Sequence, residues 1–333
     1  MTGTRLSVAE THDLISRALL NSRTSAENAR PVADALVAAE LAGQGGHGLR
    51  RVDVYCAQAR SGKIDGMAVP SVTALRPGAL SVDAAHGFAY PAIDLALPWL
   101  NKAARAQGIA MAGIQRSSHA GVAGVTVERL AAQGLVAMLF ANAPAAMAPW
   151  GGRRPLFGTD PIAFAAPITD GEPIVVDISL SKVARGKIMA ARQKGESIPE
   201  GWALDADGNA TTDATAALGG TMVPMGDAKG TALALMVELL CAGLTGGKYA
   251  YEASSFFDDK GEPPATGQLI IAIDPDAFGP GALGRFQAMA EQIETMDGAR
   301  LPGRRRQRIR DELMKSGISI DDELLATIRA IAG

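Results

Sequence analysis

The sequence predicts an α/β protein of two lobes, a helical lobe built from both ends of the chain and an α/β middle. Three observations predict it. The first seventy residues read as successive helices, strands and helices alternate from about residue 71 to 281, and residues 282–333 return to helix. The expected division is residues 1–75 with 282–333 for the helical lobe and 76–281 for the α/β domain. A chain of 333 residues can bury more than one core.

The elements follow in order. Ser7-Val8-Ala9-Glu10 is a capping box that opens a helix reaching about Asn21. Ser25 opens a second, "SAENARPVADALVAAELAG", with apolar residues at helical spacing. A third, "RRVDVYCAQARSGK", follows the glycines of "GQGGHGLRR". "SVTALRPGALSVDAA" reads as two short strands around a Pro-Gly turn. "AYPAIDLALPWLNKAARAQG" and "VAGVTVERLAAQG" are helical, and "IAMAGIQRSS" and "LVAMLFANA" are buried strands. "DPIAFAAPI", "PIVVDISLS" and "GQLIIAIDP" are further strands. "GDAKGTALALMVELLCAGLTG" is apolar enough to be a central helix. "DDELLATIRAIAG" is a final helix capped by Asp321 or Asp322.

Composition limits the partners. The chain is 47% hydrophobic and 20% charged, which argues against extended disorder. A net charge of −3 argues against a general nucleic-acid binder. The basic run "PGRRRQRIR" carries no aromatic for base stacking, so a solvated helix face or a contact to a cofactor phosphate is expected there. Cys56 and Cys241 have no metal-ligand spacing and read as buried thiols of a reducing compartment. No apolar run approaches the ~20 residues of a membrane span. The N-terminal stretch has no export-signal pattern. A cytoplasmic protein with neither membrane nor nucleic-acid partner is expected.

Gly43, Gly45 and Gly48 satisfy G-x-G-x-x-G, the pattern of a dinucleotide-binding turn. That turn needs a strand before it, and here a helix ends at Leu41 and Ala42. The glycines read better as a helix break that lets backbone approach a ligand. His47 sits in this break, and its imidazole could pass a proton near neutral pH. Arg50 and Arg51 lie three and four residues on. If a helix begins near Gly48, one of them returns to the face of His47, where a guanidinium could hold a carboxylate bidentately. The bland alternative is a surface histidine with solvated arginines. "SSHAGVAG" places His119 after a strand, with Gly121 and Gly124 opening a helix whose first N–H groups favour an anion; a structural turn histidine is equally consistent. Asp177 ends a strand, where it can orient a histidine or cap a turn. Lys229 opens the long apolar helix, and its ammonium with the helix dipole suits a phosphate.

Seven segments in this order resemble one family: "GHGLRRVDVY", "SSHAGVAG", "FGTDPIAFAAP", "VVDISLSKVARGK", "IPEGWALDADGNATTD", "VPMGDAKGTALALMVELL" and "RLPGRRR". It is the malate/L-lactate dehydrogenase family that lacks a Rossmann fold. Its members include malate, sulfolactate and ureidoglycolate dehydrogenases, 2,3-diketogulonate reductase and reductases of pyrroline- and piperideine-2-carboxylate. The resemblance implies a mixed, partly antiparallel sheet with helices, and a homodimer. It implies that His47 is the acid/base, that Arg51 clamps the substrate carboxylate, and that His119 lies near nicotinamide and substrate. Thr159, Val175, Val176, Asp177, Ile178, Ser179, Leu180, Ser181, Lys229, Gly230, Gly303, Arg304 and Arg305 match cofactor-contacting stretches, and Asp177 would also help hold the acid/base. Four positions depart from the pattern. Gly46 replaces a serine proposed to assist the histidine, Ser118 replaces an asparagine, and Asp160 replaces the asparagine of Gly-Thr-Asn-Pro. Arg304 stands where a glutamate is usual, and its added positive charge favours NADP(H) over NAD(H). The expected activity is NAD(P)H-dependent hydride transfer to C2 of a small 2-keto or cyclic 2-imino acid, with oxidation of a 2-hydroxy acid in reverse. A malate-, lactate- or sulfolactate-type dehydrogenase is the nearest alternative. A binding protein that keeps the fold without the chemistry is the alternative of another class.

Overall fold

The computed structural model describes residues 3–333. The two ends of the chain meet in a short antiparallel ribbon. β1 (Gly3–Leu6) pairs with β12 (Ile318–Asp321), Gly3 opposite Asp321. Around it pack α1 (Val8–Leu20), α2 (Ala26–Leu41), α3 (Val52–Ser61) and α11 (Asp322–Ala332). α1 opens with the expected capping box: Glu10 N–H donates to Ser7 Oγ at 3.2 Å, and Ser7 N–H to Glu10 Oε2 at 2.8 Å. Leu14, Ile15, Leu36, Val52, Tyr55 and Ile328 form this core, joined by Phe88 and Tyr90. Neither strand of the ribbon is evident from sequence. Four residues carry little periodicity, and the partner lies at the far end of the chain.

The second body is a seven-stranded sheet. Its strands are β2 (Ser71–Arg76), β3 (Ala79–Asp83), β4 (Ile109–Ser117), β5 (Val136–Ala141), β6 (Ile162–Ala166), β7 (Ile174–Ile178) and β11 (Thr266–Ile273), in the order β2-β3-β4-β11-β5-β6-β7. β3 and β4 pair parallel, and the other neighbours pair antiparallel. The sheet is therefore mixed and not doubly wound, as the family resemblance implied. Side chains alternate across it. Leu139 and Ile270 face α4 (Ala89–Gln107) and α5 (Ala123–Ala131), where many alanines allow close helix approach. Phe140 and Leu269 face the opposite layer, with Met147, Leu180 and Ile188. That layer holds α6 (Arg185–Lys194), α7 (Ala214–Gly219) and a small sheet of β8 (Ala203–Leu204), β9 (Ala210–Thr211) and β10 (Thr221–Met222).

α8 (Ala228–Glu238), extended by a π-helical turn at Leu239–Gly243, corrects one expectation. It is apolar all round, as the sequence says, yet it is not central. Leu235, Leu239 and Leu244 are 49%, 52% and 62% exposed. α9 (Ala282–Glu294) is largely exposed, and α10 (Arg304–Ser316) docks on α5 and the start of β7. Arg306 and Arg310 reach Glu128 at 3.3 and 2.9 Å, and Gln307 donates to Pro173 O at 3.0 Å. Most of the basic run is thus spent on intramolecular carboxylates. Among the described residues no helix is long and apolar enough to cross a membrane.

Candidate active site

The break between α2 and α3 is two short 3₁₀ turns, Gly45–His47 and Leu49–Arg51. A helix precedes the glycines, so no dinucleotide turn forms here. Glu40, at the end of α2, folds back to accept the Leu49 N–H at 2.7 Å. A Cβ at position 48 would run into the Glu40 side chain, so only glycine lets the turn close. The turn aims His47 and Arg51 the same way while Arg50 stays exposed.

His47 Nδ1 lies 3.1 Å from His119 Nε2, a contact between residues 72 apart in the chain. The rings lie nearly parallel, 17° apart in plane with centroids at 5.1 Å. His119 Nδ1 meets Tyr55 Oη at 2.6 Å, and Tyr55 Oη meets Tyr90 Oη at 3.0 Å. The chain closes in either direction: from Tyr90 through Tyr55 and His119 to His47 Nδ1, or from His47 Nδ1–H to His119, His119 Nδ1–H to Tyr55 and Tyr55 to Tyr90. Both nitrogens of His119 are then taken, and His47 keeps Nε2 as the free end. Burial, and next the Arg51 charge, lower the His47 pKa to about 4. Burial first, then Arg51 and His47, push His119 well below the usual histidine range. Both rings are therefore neutral near pH 7.

Arg51 is 7% exposed. Its Nε donates to Gly46 O at 3.0 Å and its Nη1 to Phe256 O at 3.4 Å, and its guanidinium lies 4.4 Å from the centre of the Phe257 ring. Among the described residues no carboxylate pairs with it. Phe256 packs on His119 at 5.4 Å between centroids. Position 46, a glycine where the family carries serine, has open space around a would-be Cβ. The second nitrogen of His47, which a serine could have served, is held by His119 instead.

The other expected residues fall in two places. Val175, Val176, Asp177, Ile178, Gly303 and Arg305 line one groove of about 390 Å³, together with Gly43, Gln44 and Arg306. Gly303 has φ 94°, and a Cβ there would press on Val175 N and O at 3.2 Å, so glycine lets the start of α10 lie this close to β7. Arg305 is exposed and makes no ion pair among the described residues. Arg304 does not line the groove: it pairs with Glu294 at 2.8 Å and donates to Gln307 Oε1 at 3.1 Å. The second group forms a seam. Leu180 N–H donates to Thr159 O at 2.8 Å, Met225 N–H donates to Leu180 O at 2.7 Å, and Gly230 packs on Met225. Ser179 and Ser181 meet through their hydroxyls at 3.1 Å, and Lys229 is exposed beside this seam at the start of α8.

One expectation needs correction. Asp177 does not hold an acid/base: its Oδ2 accepts the Gly124 N–H at 2.9 Å at the start of α5, beside Arg306. The anion at that helix start is thus the protein's own carboxylate. Asp160 is fully buried against Glu238, and burial followed by the Glu238 charge pushes its pKa well up. That environment favours the protonated acid at a position where the resemblance leads one to expect an amide.

A sequence profile described as malate/L-lactate dehydrogenase matches residues 6–329. The chain belongs to the malate/L-lactate dehydrogenase family. It is 51% identical over 304 residues to (2R)-3-sulfolactate dehydrogenase (NADP(+)) of Chromohalobacter salexigens, covering 91% of each chain. It is 39% identical to the Δ1-pyrroline-2-carboxylate/Δ1-piperideine-2-carboxylate reductase of Pseudomonas putida, covering 99% of this chain and 97% of that one. The crystal structure of Δ1-piperideine-2-carboxylate reductase from Pseudomonas syringae superposes with a TM-score of 0.94 at 38% identity, over 98% of this chain and 99% of that one. Within this malate/L-lactate dehydrogenase family member, Tyr55, Tyr90 and Phe256 are the site neighbours not singled out from sequence. Tyr55 carried a signal, since it lies one helical turn beyond Arg51 on the same face.

Proposed function

We propose that the chain is an NADP(H)-dependent oxidoreductase acting at C2 of a small 2-keto or cyclic 2-imino acid, and on the 2-hydroxy acid in reverse. One observation carries this: Arg51 is a buried guanidinium with no carboxylate partner among the described residues, set beside a histidine with one ring nitrogen free. A buried charge is costly without a counter-ion, and a substrate carboxylate supplies one. Arg51 holds that carboxylate and so turns C2 toward the nicotinamide, which supplies or accepts the hydride when bound. His47, protonated as substrate binds, gives its Nε2 proton to the substrate oxygen or nitrogen and returns to the neutral ring. The arriving carboxylate is a negative charge beside the ring, and it raises the imidazole's proton affinity when the proton is needed. In the oxidative direction neutral His47, its own proton on Nδ1 toward His119, takes the hydroxyl proton at Nε2. His119, backed by Tyr55, accepts from His47 Nδ1–H and so leaves Nε2 as the nitrogen that takes or gives the proton.

The groove between β7 and the start of α10 fits a dinucleotide: Gly43 and Gly303 leave its edges open, its size suits an adenosine, and its wall offers Arg305, which makes no ion pair among the described residues. Thr159, Ser179, Leu180, Ser181, Lys229 and Gly230 would continue the site along the seam. The NADP(H) preference moves from Arg304, already neutralised by Glu294, to Arg305. Arg305→Ala is expected to weaken NADPH binding about 10- to 100-fold, as loss of a charged phosphate contact does. NADH binding should stay within about twofold; equal losses for both, read by cofactor fluorescence, would count against this role.

The exposed apolar face of α8 supports a homodimer, and light scattering should return twice the chain mass of 34.3 kDa. A single-chain mass would remove that proposal. The buried free thiols Cys56 and Cys241 support a cytoplasmic setting. The β1–β12 ribbon supports a lobe built from residues 1–75 and 282–333, beside an α/β body of residues 76–281. The 51% identity to a sulfolactate dehydrogenase favours a second reading, in which the substrate is a 2-hydroxy acid with a sulfonate at C3. A panel of pyruvate, oxaloacetate, 3-sulfopyruvate and the two cyclic imines, each with NADPH and NADH, decides between them. Cofactor binding without oxidation across the panel would overturn the enzymatic reading in favour of a binding protein.

A further inference from the structure

Behind the proposed substrate site lies a second buried cation that the mechanism does not use. Lys63 follows α3 directly, and its side chain is 1% exposed. Its ammonium spends three hydrogen bonds on one short arc, on Ser255 O at 2.7 Å, Asp258 O at 3.0 Å and Asp258 Oδ1 at 3.0 Å. Gln58, buried on α3, adds a bond from Nε2 to Asp258 O at 2.9 Å. The same arc carries Phe256 and Phe257. Phe256 lies on the His119 ring and its carbonyl accepts from Arg51; Phe257 lies under the Arg51 guanidinium. α3 therefore grips this arc at one edge, and the arc touches His119 and Arg51 at the other.

We infer that Lys63, with Gln58, is a positioning residue that pins the Phe256–Phe257 arc over the His47–Arg51–His119 cluster and thereby sets how tightly substrate is held. The inference rests on the roles proposed above for those three residues. Packing alone does not ask for an ammonium here. An apolar chain of similar length would fill the space without the cost of burying a charge. What three donors add is a fixed backbone position for an arc that is otherwise irregular and half exposed. The arc contributes to the grip on the carboxylate through Arg51, which acts in ground state and transition state alike, so its loss falls on KM. It also keeps water from the histidines, whose other charged or titratable neighbours are Arg51, Tyr55 and Tyr90.

The test uses the full chain with Lys63→Met and Lys63→Arg. With whichever panel substrate the wild type turns over, Lys63→Met should raise KM about tenfold or more while kcat stays within about threefold. Lys63→Arg should recover most of the loss. Ring NMR of labelled histidines, without substrate, should show His47 titrating at about 4 in the wild type and higher in Lys63→Met as water reaches the rings. A folded Lys63→Met with unchanged KM and unchanged His47 titration overturns the inference. If that variant does not fold, Gln58→Met cuts one tether and should raise KM about threefold; no change there overturns it equally. Should the wild type turn over nothing in the panel, the functional reading fails, and the histidine titration still decides the part played by Lys63.

Discussion

Arg51→Met is expected to lower kcat/KM by about 10³-fold while leaving the melting temperature unchanged or raising it. The two effects have one cause. In the free protein the Arg51 guanidinium is buried, held by two carbonyls and a ring face, and faces no carboxylate among the described residues. Such a charge destabilises the fold relative to an apolar side chain of similar length. When a substrate carboxylate arrives the same charge becomes the main anchor, and truncating one partner of a buried charged pair costs about 2–5 kcal/mol. Arg51→Lys should not rescue, because an ammonium lacks the planar fork that holds a carboxylate and fixes the direction of C2. Steady-state kinetics and a thermal melt on the same sample check this. A variant that lost activity only because it unfolded would melt lower, and that result would contradict the reading.

His47→Asn is expected to lower kcat by about 10²-fold or more in both directions, with NADPH affinity unchanged. The assignment to His47 over His119 comes from hydrogen-bond accounting, since both nitrogens of His119 are committed and His47 Nε2 is not. The pH dependence gives an independent check. In 2-hydroxy acid oxidation His47 must be unprotonated in the free enzyme. Its pKa is held down at about 4 by burial and by Arg51, so kcat/KM should be level through pH 6 and fall only as pH drops toward 4. An exposed histidine would place that fall near 6.5. A limb there would mean that the ring is solvated and the relay is not formed.

Much of the site was legible in the sequence because it is local. His47 and Arg51 share one glycine-broken turn, and their spacing already suggested a common face. His119 was a separate motif, and only the sheet brings it to His47. Tyr55 was readable from its place one turn past Arg51, whereas nothing local marked Phe256 or Lys63, whose contacts are made across some two hundred residues. A carboxylate at a strand end can serve any nearby donor, and the donor Asp177 finds is the start of α5. The shift from Arg304 to Arg305 has the same origin. Within a run of arginines the sequence shows charge but not which side chain a distant glutamate neutralises. α8 was expected in the centre because composition reports how apolar a helix is, not what covers it. The alternating strands and capped helices were read correctly because each signal lies within the element itself. The β1–β12 ribbon was missed because its partners stand at opposite ends of the chain.

The most direct test of the proton and carboxylate assignment is a crystal structure of the protein with NADP⁺ and oxalate, a planar mimic of a 2-keto acid. The predicted result is one oxalate carboxylate on the Arg51 guanidinium, with His47 Nε2 within hydrogen-bonding reach of an oxygen on the other carbon. Oxalate bound away from Arg51, or a His47 ring turned from it with Nε2 in solvent, would contradict the assignment.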